Sequence, residues 1–228
     1  MQTKHSKRFT ELKSKIDRTK TYPIDEAVKM MKETAKTKFD STVEIHIKTG
    51  IDTSKSDQQM RSTISLPHGS GKKIKIAVLV ADDKVKDLKG CGADLIGGSE
   101  LIDKVLKEQK IDADVVLTTP DYMPQVAKLA KILGPKGLMP NPKTETVTPN
   151  IKKAVEELTK GKITYKTDDT GNIHLIIGKA SFDDNKLIEN FKVVMEAINK
   201  AKPNAVKGIF LKNITLTSSM GPGIKVQI

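Results

Sequence analysis

Three short stretches of this chain combine a ring, hydroxyls, basic groups and a carboxylate, side chains whose chemistry suits contact with unpaired bases and phosphates. In Lys38-Phe39-Asp40-Ser41-Thr42-Val43-Glu44, the ring stands at the start of a strand among bases and hydroxyls. An exposed ring can stack on an unpaired base, and a carboxylate such as Glu44 can accept hydrogen bonds from a guanine edge. The competing role for Phe39 is plain core packing. Lys166-Thr167-Asp168-Asp169-Thr170-Gly171-Asn172-Ile173-His174 reads as a polar hairpin tip. Thr217-Ser218-Ser219-Met220-Gly221-Pro222-Gly223 sets small hydroxyl residues before Met-Gly-Pro, where they can reach 2′-hydroxyls and phosphates without bulk. An ordinary turn and an ordinary loop are the competing roles for the second and third stretches.

Catalytic chemistry is not supported. His68-Gly69-Ser70-Gly71-Lys72 looks like a phosphate loop, but Leu66 and Lys73 stand where the Walker pattern needs Gly and Ser or Thr. Gly90, Gly92, Gly97 and Gly98 do not space as a dinucleotide fingerprint and follow a helix, which suits a helix end and a turn. His5, His46, His68 and His174 are far apart and none lies near a second cysteine, so no zinc site is expected. No G-x-S-x-G elbow occurs, and the paired carboxylates Asp82-Asp83 and Asp168-Asp169 fall at turns or caps. The expectation is a protein that is not an enzyme and has no cofactor, metal or small-molecule substrate. The single cysteine, Cys91, lies between two glycines and reads as a small turn residue.

The elements that must carry the three stretches belong to a chain of 228 residues, long enough for two domains. Its net charge of +12 favours a polyanionic partner, through long-range attraction and release of condensed counterions. Anionic lipid suits it less well, since no Lys-rich helix carries the aromatic face that an interfacial helix needs. The polar stretch Met1 to Arg18 has no apolar core of a signal sequence, and no apolar run is long enough to span a bilayer. A cytoplasmic location without membrane contact is expected.

Phe9, Leu12 and Ile16 predict a short amphipathic helix up to about residue 18. Pro23, Asp25 and Glu26 open a second helix, with Ala27, Val28, Met31 and Ala35 on its apolar face. Val43, Ile45 and Ile47 alternate with Glu44, His46 and Lys48, a strand with one wet face; Met60 to Leu66 repeats the pattern. Beyond Pro67 the style changes. Ile74 to Val80 reads as an apolar strand, with helical text to Gly90 and a short strand at Asp94–Ile96. A helix capped by Ser99 runs to about Leu106, Val115–Leu117 is the next strand, and a helix follows Pro120. This alternation predicts a parallel sheet with helices on its faces. A Gly/Pro-rich loop from Gly134 to Asn150 leads to a helix ending near Thr159.

After Gly161 the antiparallel style returns, with strands Ile163–Lys166 and Ile173–Ile177 flanking the Asp168–Gly171 turn as a hairpin. Leu187, Ile188, Phe191, Val194, Met195 and Ile198 form one helical stripe, and strands Ile209–Thr217 and Lys225–Ile228 follow. The ends resemble each other and differ from the middle. The economical architecture is α/β in two domains. Residues 1–67 and 160–228 make a discontinuous α+β domain with an antiparallel sheet, and 68–159 make an inserted parallel α/β domain. Glycines at the two junctions, Gly69, Gly71 and Gly161, would form a hinge. Residues 68–159 hold 15 basic and 13 acidic residues, leaving 25 basic and 15 acidic elsewhere. The basic excess therefore lies on the terminal segments.

Together these residues closely resemble the L-one family of large-subunit ribosomal proteins, over essentially the whole chain. The resemblance rests on Ser6-Lys7-Arg8, Lys38-Phe39-Asp40 with Glu44, Ser56-Asp57-Gln58 before Arg61, and Leu66-Pro67-His68-Gly69. It continues in Gly92-Ala93-Asp94 with Gly97-Gly98, and its longest run is Ile132-Leu133-Gly134-Pro135-Lys136-Gly137-Leu138-Met139-Pro140-Asn141-Pro142-Lys143. Gly178-Lys179-Ala180-Ser181-Phe182 and Met220-Gly221-Pro222 complete it.

The resemblance implies the two-domain fold, with a Rossmann-like insert, and binding of large-subunit rRNA through the discontinuous domain at a mobile stalk. Matched by position, the implied contacts are Lys38, Phe39, Thr42, Glu44, Lys166, Asp168, Gly171, His174, Thr217, Ser219, Met220 and Gly221. It also implies help in releasing deacylated exit-site tRNA, repression of the chain's own operon mRNA, a ribosomal location, and a monomer when free. Two positions depart from the family pattern. Asp169 stands where a Lys is usual, and Ser218-Ser219 replaces Ser/Thr-Thr.

Overall fold

The computed structural model describes residues 6–55, 57–88 and 90–227; His5, Ser56, Ile228 and the first residues of the N-terminal stretch lie outside them. In chain order the elements open with helices α1 (Lys7–Ser14) and α2 (Ile24–Thr34), strands β1 (Thr42–Thr49), β2 (Arg61–Ser65) and β3 (Ile76–Leu79), and the one-turn helix α3 (Asp82–Val85). Strand β4 (Leu95–Gly97), helix α4 (Ser99–Glu108) and strand β5 (Val115–Thr118) follow, then one-turn helices α5 (Met123–Val126) and α6 (Ala130–Leu133). Next come helix α7 (Ile151–Thr159), strands β6 (Lys162–Lys166) and β7 (Asn172–Lys179), helix α8 (Asp184–Lys200), and strands β8 (Leu211–Ser218) and β9 (Ile224–Val226).

Two compact units result. One takes the chain up to Gly71 together with the chain from Ile163 onward, and the other is Lys72–Lys162. The divisions at 71/72 and 162/163 fall later than 67/68 and 159/160, for local reasons. The buried Asn190 of α8 accepts from the His68 N–H (3.2 Å) and donates to the Gly69 carbonyl (3.1 Å), tying Pro67–Gly69 to the first unit. Lys162 pairs with Glu145 and Glu157, which ties it to the second.

The first unit is built on a four-stranded antiparallel sheet in the order β7-β1-β8-β9. Val43, Ile45 and Ile47 of β1, Ile173, Leu175 and Ile177 of β7, and Ile214 and Leu216 of β8 are buried on one face. Helices α2 and α8 cover that face with Ala27, Val28, Met31, Leu187, Phe191, Val194 and Ile198, as their apolar stripes require. Pro23 occupies the N-cap of α2, with Asp25 and Glu26 in the first turn, where the partial positive charge of the helix end favours them. Ala35 falls just past the end of α2, and Thr34 takes the buried place expected of it, its hydroxyl turned back onto the Met30 and Met31 carbonyls. Strand β8 begins after Ile209, not at it. Ile209 is 74% exposed, while Phe210 turns inward and its carbonyl accepts from the Gly50 N–H at 2.7 Å.

The predicted hairpin over Asp168–Gly171 is only half realised. The turn forms, but β6 pairs with β2 in a separate two-stranded sheet and β7 pairs with β1. Between the arms the described residues show the bridge of Thr167 with Ile173 and the Asp168–Asn172 bonds of the turn, and no continuous ladder. The cause is burial. Tyr165 on β6 and Ile173 on β7 each find apolar cover in the same core, but on different sheets.

The second unit holds a three-stranded parallel sheet in the order β4-β3-β5. Alternate residues of β3 serve opposite faces. Ala77 and Leu79 pack with α4, Val126, Leu129 and Leu133, whereas Ile76, Val78 and Val80 pack with Leu88 and with Ile151, Val155 and Leu158 of α7. A strand buried on both sides must read as a continuous apolar run, which is how Ile76–Val80 reads. Two expectations here need correction. Helix α3 is a single turn and does not run to Gly90; the chain leaves it through a turn closed by the Cys91 N–H on the Leu88 carbonyl. Ser99 is the first residue of α4, with no N-cap role, and its N–H (3.2 Å) and hydroxyl (2.6 Å) both donate to the Asp82 carboxylate. An acid reaching over from α3 thus occupies the positive end of α4. Among the described residues no helix is long and apolar enough to cross a membrane.

Candidate nucleic-acid interface

Because side chains alternate across a strand, the face of β7-β1-β8-β9 opposite α2 and α8 collects the polar set. On β1 these are Thr42, Glu44, His46 and Lys48, the half-buried members of a strict alternation. Glu44 stands opposite Thr217 of β8, His46 lies between His174 of β7 and Thr215 of β8, and Lys48 lies between Asn172 and Asn213. The strand spans about 23 Å from end to end, so the face is an elongated platform rather than a pocket.

One end of the platform is formed by two chain segments locked together. The Ser219 N–H donates to the Thr42 carbonyl at 2.9 Å, and the Ser219 hydroxyl accepts from the Thr42 N–H at 3.2 Å. The Lys179 ammonium donates to the Thr42 hydroxyl at 2.9 Å. The Thr217 hydroxyl donates within the Ser218–Pro222 turn, and the Gly221 N–H closes that turn on the Ser218 carbonyl at 2.8 Å. Arg8 of α1 reaches the carbonyls of both Lys36 (3.2 Å) and Met220 (3.0 Å), and so holds the two loops at a fixed spacing.

Two large apolar side chains protrude from this braced region. Phe39 is 56% exposed and Met220 is 66% exposed. Phe39 is therefore not core. Met220 also adopts a left-handed backbone with φ of 63°, a conformation that costs a non-glycine residue energy and persists only where the surroundings impose it. Lys38, beside the ring, is exposed as well.

Ser219→Val should keep the backbone bond to the Thr42 carbonyl but remove the hydroxyl that accepts from the half-buried Thr42 N–H, lowering stability by about 1–2 kcal/mol. Urea unfolding of the full chain checks this; an unchanged midpoint would mean that water replaces the hydroxyl without cost.

The other end of the platform is the Asp168–Gly171 turn. The Asp168 carboxylate accepts from the N–H groups of Asn172 (2.6 Å) and Thr170 (2.9 Å), and from both of their side chains. These bonds, the Asn172 backbone N–H foremost, hold its pKa far below the ordinary carboxylate range. Gly171 takes φ of 78°, and its carbonyl accepts from the Thr49 N–H (3.0 Å) and hydroxyl (2.6 Å). The Lys48 ammonium donates to the Thr170 carbonyl, and the Thr53 hydroxyl donates to the Asp169 carbonyl. Asp169 itself is exposed. Lys166 stands apart from the platform, at the end of β6 in the two-stranded sheet.

Because Asp168 is more acidic folded than unfolded, the turn's stabilisation is complete above the unfolded value near ~3.9 and is lost as pH falls through the depressed folded value. Asp168→Asn should therefore be less stable than the parent at neutral pH, and the gap should begin to narrow below about pH 4 and keep narrowing as the pH falls further. Thermal unfolding across that range reads it, and a gap independent of pH would assign the loss to shape alone.

Between the two ends, the Nδ1 atoms of His46 and His174 lie 2.8 Å apart, with ring centroids 5.0 Å apart at an edge-on angle. One ring must donate and the other accept, so the contact excludes two charged imidazoliums. Glu44 lies 3.7 Å from His46, and Asp168 lies 3.5 Å from His174. Burial, and then the neighbouring His174, push His46 below the usual histidine value, against the pull of Glu44.

The structure thus brings Lys38, Phe39, Thr42, Glu44, His174, Thr217, Ser219, Met220 and Gly221 onto one sheet face and one end of it, and sets Asp168 and Gly171 at the other end. Sequence reasoning missed His46, Thr215 and Asn213, although the wet side of each alternating strand marks them. It also left Arg8 out of the site, and its cross-chain reach has no local signature. The junction glycines Gly69, Gly71 and Gly161 all take positive φ. At Gly71 a side chain would press on Lys179 and on the Phe182 ring.

Comparison with known proteins finds relatives of this sequence. The model of the ribosomal protein L1p/L10e family matches residues 31–222. The chain is 52% identical over 224 residues to the large ribosomal subunit protein uL1 of Thermosipho africanus, covering 98% of this chain and 97% of that one. It is 51% identical over 225 residues to the protein of that name from Fervidobacterium nodosum, covering 99% and 96%. With that of Mycoplasma capricolum the identity is 50% over 224 residues, covering 98% and 99%.

Proposed function

The chain belongs to the ribosomal protein L1p/L10e family, a structural constituent of the large ribosomal subunit and not an enzyme, and from that membership we propose that its open sheet face binds large-subunit rRNA at a mobile stalk. The observation that carries the proposal is the braced end of the platform. A phenyl ring and a thioether project into solvent from segments that Arg8, Thr42 and Ser219 hold rigid. Rigid display of apolar side chains on a basic protein suits RNA. Unpaired bases stack on the ring, phosphates meet Lys38 and Lys48, and 2′-hydroxyls meet the Thr and Ser rim. Glu44, between Thr217 and the histidine pair, is placed to accept from a base edge and so to contribute selectivity.

Two finer roles belong to the same reading: release of deacylated tRNA from the exit site, and repression of the chain's own operon mRNA through a mimic of the rRNA site. Gly69, Gly71 and Gly161 are the proposed flexing points, and the chain acts in the cytoplasm, as a monomer when free of the ribosome. Protection of large-subunit rRNA from cleavage by the full-length protein tests the core claim. The expected result is one compact footprint, lost on excess stalk rRNA and kept on excess arbitrary RNA of equal length. Equal competition by the two RNAs would overturn it. If operon mRNA and rRNA bound simultaneously, the repression role would fall while rRNA binding stood.

A further inference from the structure

The second unit contains a cleft that the rRNA reading does not use. It has a volume of about 280 Å³ and is lined by Lys84, Asp87, Leu88, Thr119, Asn150 and Lys152, among others. Its place in the fold is distinctive. The chain leaving β3 crosses one face of the parallel sheet, where Leu88 packs. The chain leaving β5 crosses the other, where Val126, Leu129 and Leu133 pack. With strand order β4-β3-β5, the carboxyl ends of β3 and β5 therefore diverge at a topological switch point, where open α/β sheets hold their ligands.

Three features of the cleft select an anion. Helix α7 begins there with Asn150 at its N-cap, and no side chain caps it, so its first N–H groups are left for another acceptor. Lys152 stands in the first turn and Lys84 across the cleft; Lys84 makes only a long contact, 3.8 Å, with Asp121. Independently of the helix end, Thr119 is only 3% exposed and lines the cleft, yet its hydroxyl caps nothing and bonds to no described residue. Its oxygen is not sealed off as those of Ser41 and Ser218 are, so it stays open to a ligand or to water. Asp87 opposes these groups and would weaken anion binding rather than build it.

We propose that this cleft is a phosphate site, in which the hydroxyl of Thr119, the free N–H groups of Ile151–Lys153 and the ammonium groups of Lys84 and Lys152 hold one phosphate group. Its volume lies just below the roughly 300–1,000 Å³ of small-molecule sites, which suits a single phosphate or a mononucleotide and excludes a dinucleotide. The ligand is either a small phosphate ester or a backbone phosphate of an RNA strand; the shared chemistry is the same.

The test is an amide NMR titration of the ¹⁵N-labelled full-length protein with inorganic phosphate, adenosine monophosphate and a short RNA oligonucleotide, each against chloride at matched ionic strength. Saturable shifts at 119 and 151–153 are expected. If only the oligonucleotide saturates them, the backbone is the source; if the two small ligands do, a phosphate ester is. Thr119→Val and Lys152→Gln should each weaken binding about 3–10-fold, as expected for a lost hydrogen bond or charge contact. Asp87→Asn should tighten it, opposite to the result for a cation site. Phe39→Ala should change nothing here, which separates this site from the rRNA face. Shifts that fail to saturate with all three ligands, or that persist in both weakening variants, would overturn the proposal.

Discussion

Asn190→Leu is expected to lower the stability of the first unit by about 2–4 kcal/mol, the range for breaking a buried polar network. The side chain has no exposure at all and makes three hydrogen bonds. It accepts from the His68 N–H and donates to the carbonyls of Gly69 (3.1 Å) and Ile177 (2.8 Å). Ile177 is the residue left unopposed where the β1–β7 register shifts between Val43 and Glu44. One amide therefore satisfies a β-bulge and anchors the chain as it leaves the first unit. Leucine keeps the volume and withdraws every bond, stranding one donor and two acceptors. Because the protein has two units, a single unfolding curve does not isolate the effect. Amide hydrogen exchange does. Protection should fall throughout β7 and at Gly69 and remain in β3 and β5. A loss below about 0.5 kcal/mol, within the ordinary range for surface changes, would show that the loop and bulge repartner with water.

Phe39→Ala should weaken rRNA binding by about 1–3 kcal/mol, the value of one base stacked on an aromatic ring, or roughly 5- to 150-fold in affinity. Stability should barely move, because a ring that is 56% exposed contributes little to the core. The ionic-strength dependence distinguishes the ring from its neighbours. Phe39 releases no counterions, so its loss should leave the slope of affinity against salt unchanged. Lys38→Gln, if the ammonium meets a phosphate, should reduce that slope by about one unit. Filter binding to a stalk rRNA fragment over a range of salt reads both quantities. A Phe39→Ala variant that binds normally would move the recognition surface away from this end of the sheet.

Much of this was legible before any fold was in hand. The period-two text of β1 and the stripes of α2 and α8 predicted which residues would be buried, since a strand or helix repeats its own environment every two or roughly four residues. The parallel unit was legible for the same reason. Ile76–Val80 is apolar throughout because both of its faces are covered. The polar character of Lys38–Glu44 and Thr217–Gly223 was equally plain. Whether Phe39 was core or surface was not, because burial belongs to a neighbourhood and not to a residue type.

What local text could not supply were pairings across the chain. The strands around Asp168–Gly171 look like one hairpin and instead serve two sheets, because each arm finds better apolar cover elsewhere. The left-handed turn at Met220 depends on bonds from Thr42 and Arg8, 178 and 212 positions away. Asn190 looks like an interruption of an apolar stripe until the Gly69 and Ile177 carbonyls appear beside it.

Composition, charge and short-range periodicity therefore pointed to a basic chain with two differently built units, while the ribosomal family followed from the resemblance of its motifs. Chain closure settled which side chains meet. Hydrophobic burial is non-directional and can be read residue by residue, whereas a hydrogen bond between distant segments exists only once packing has placed both partners within about 3 Å.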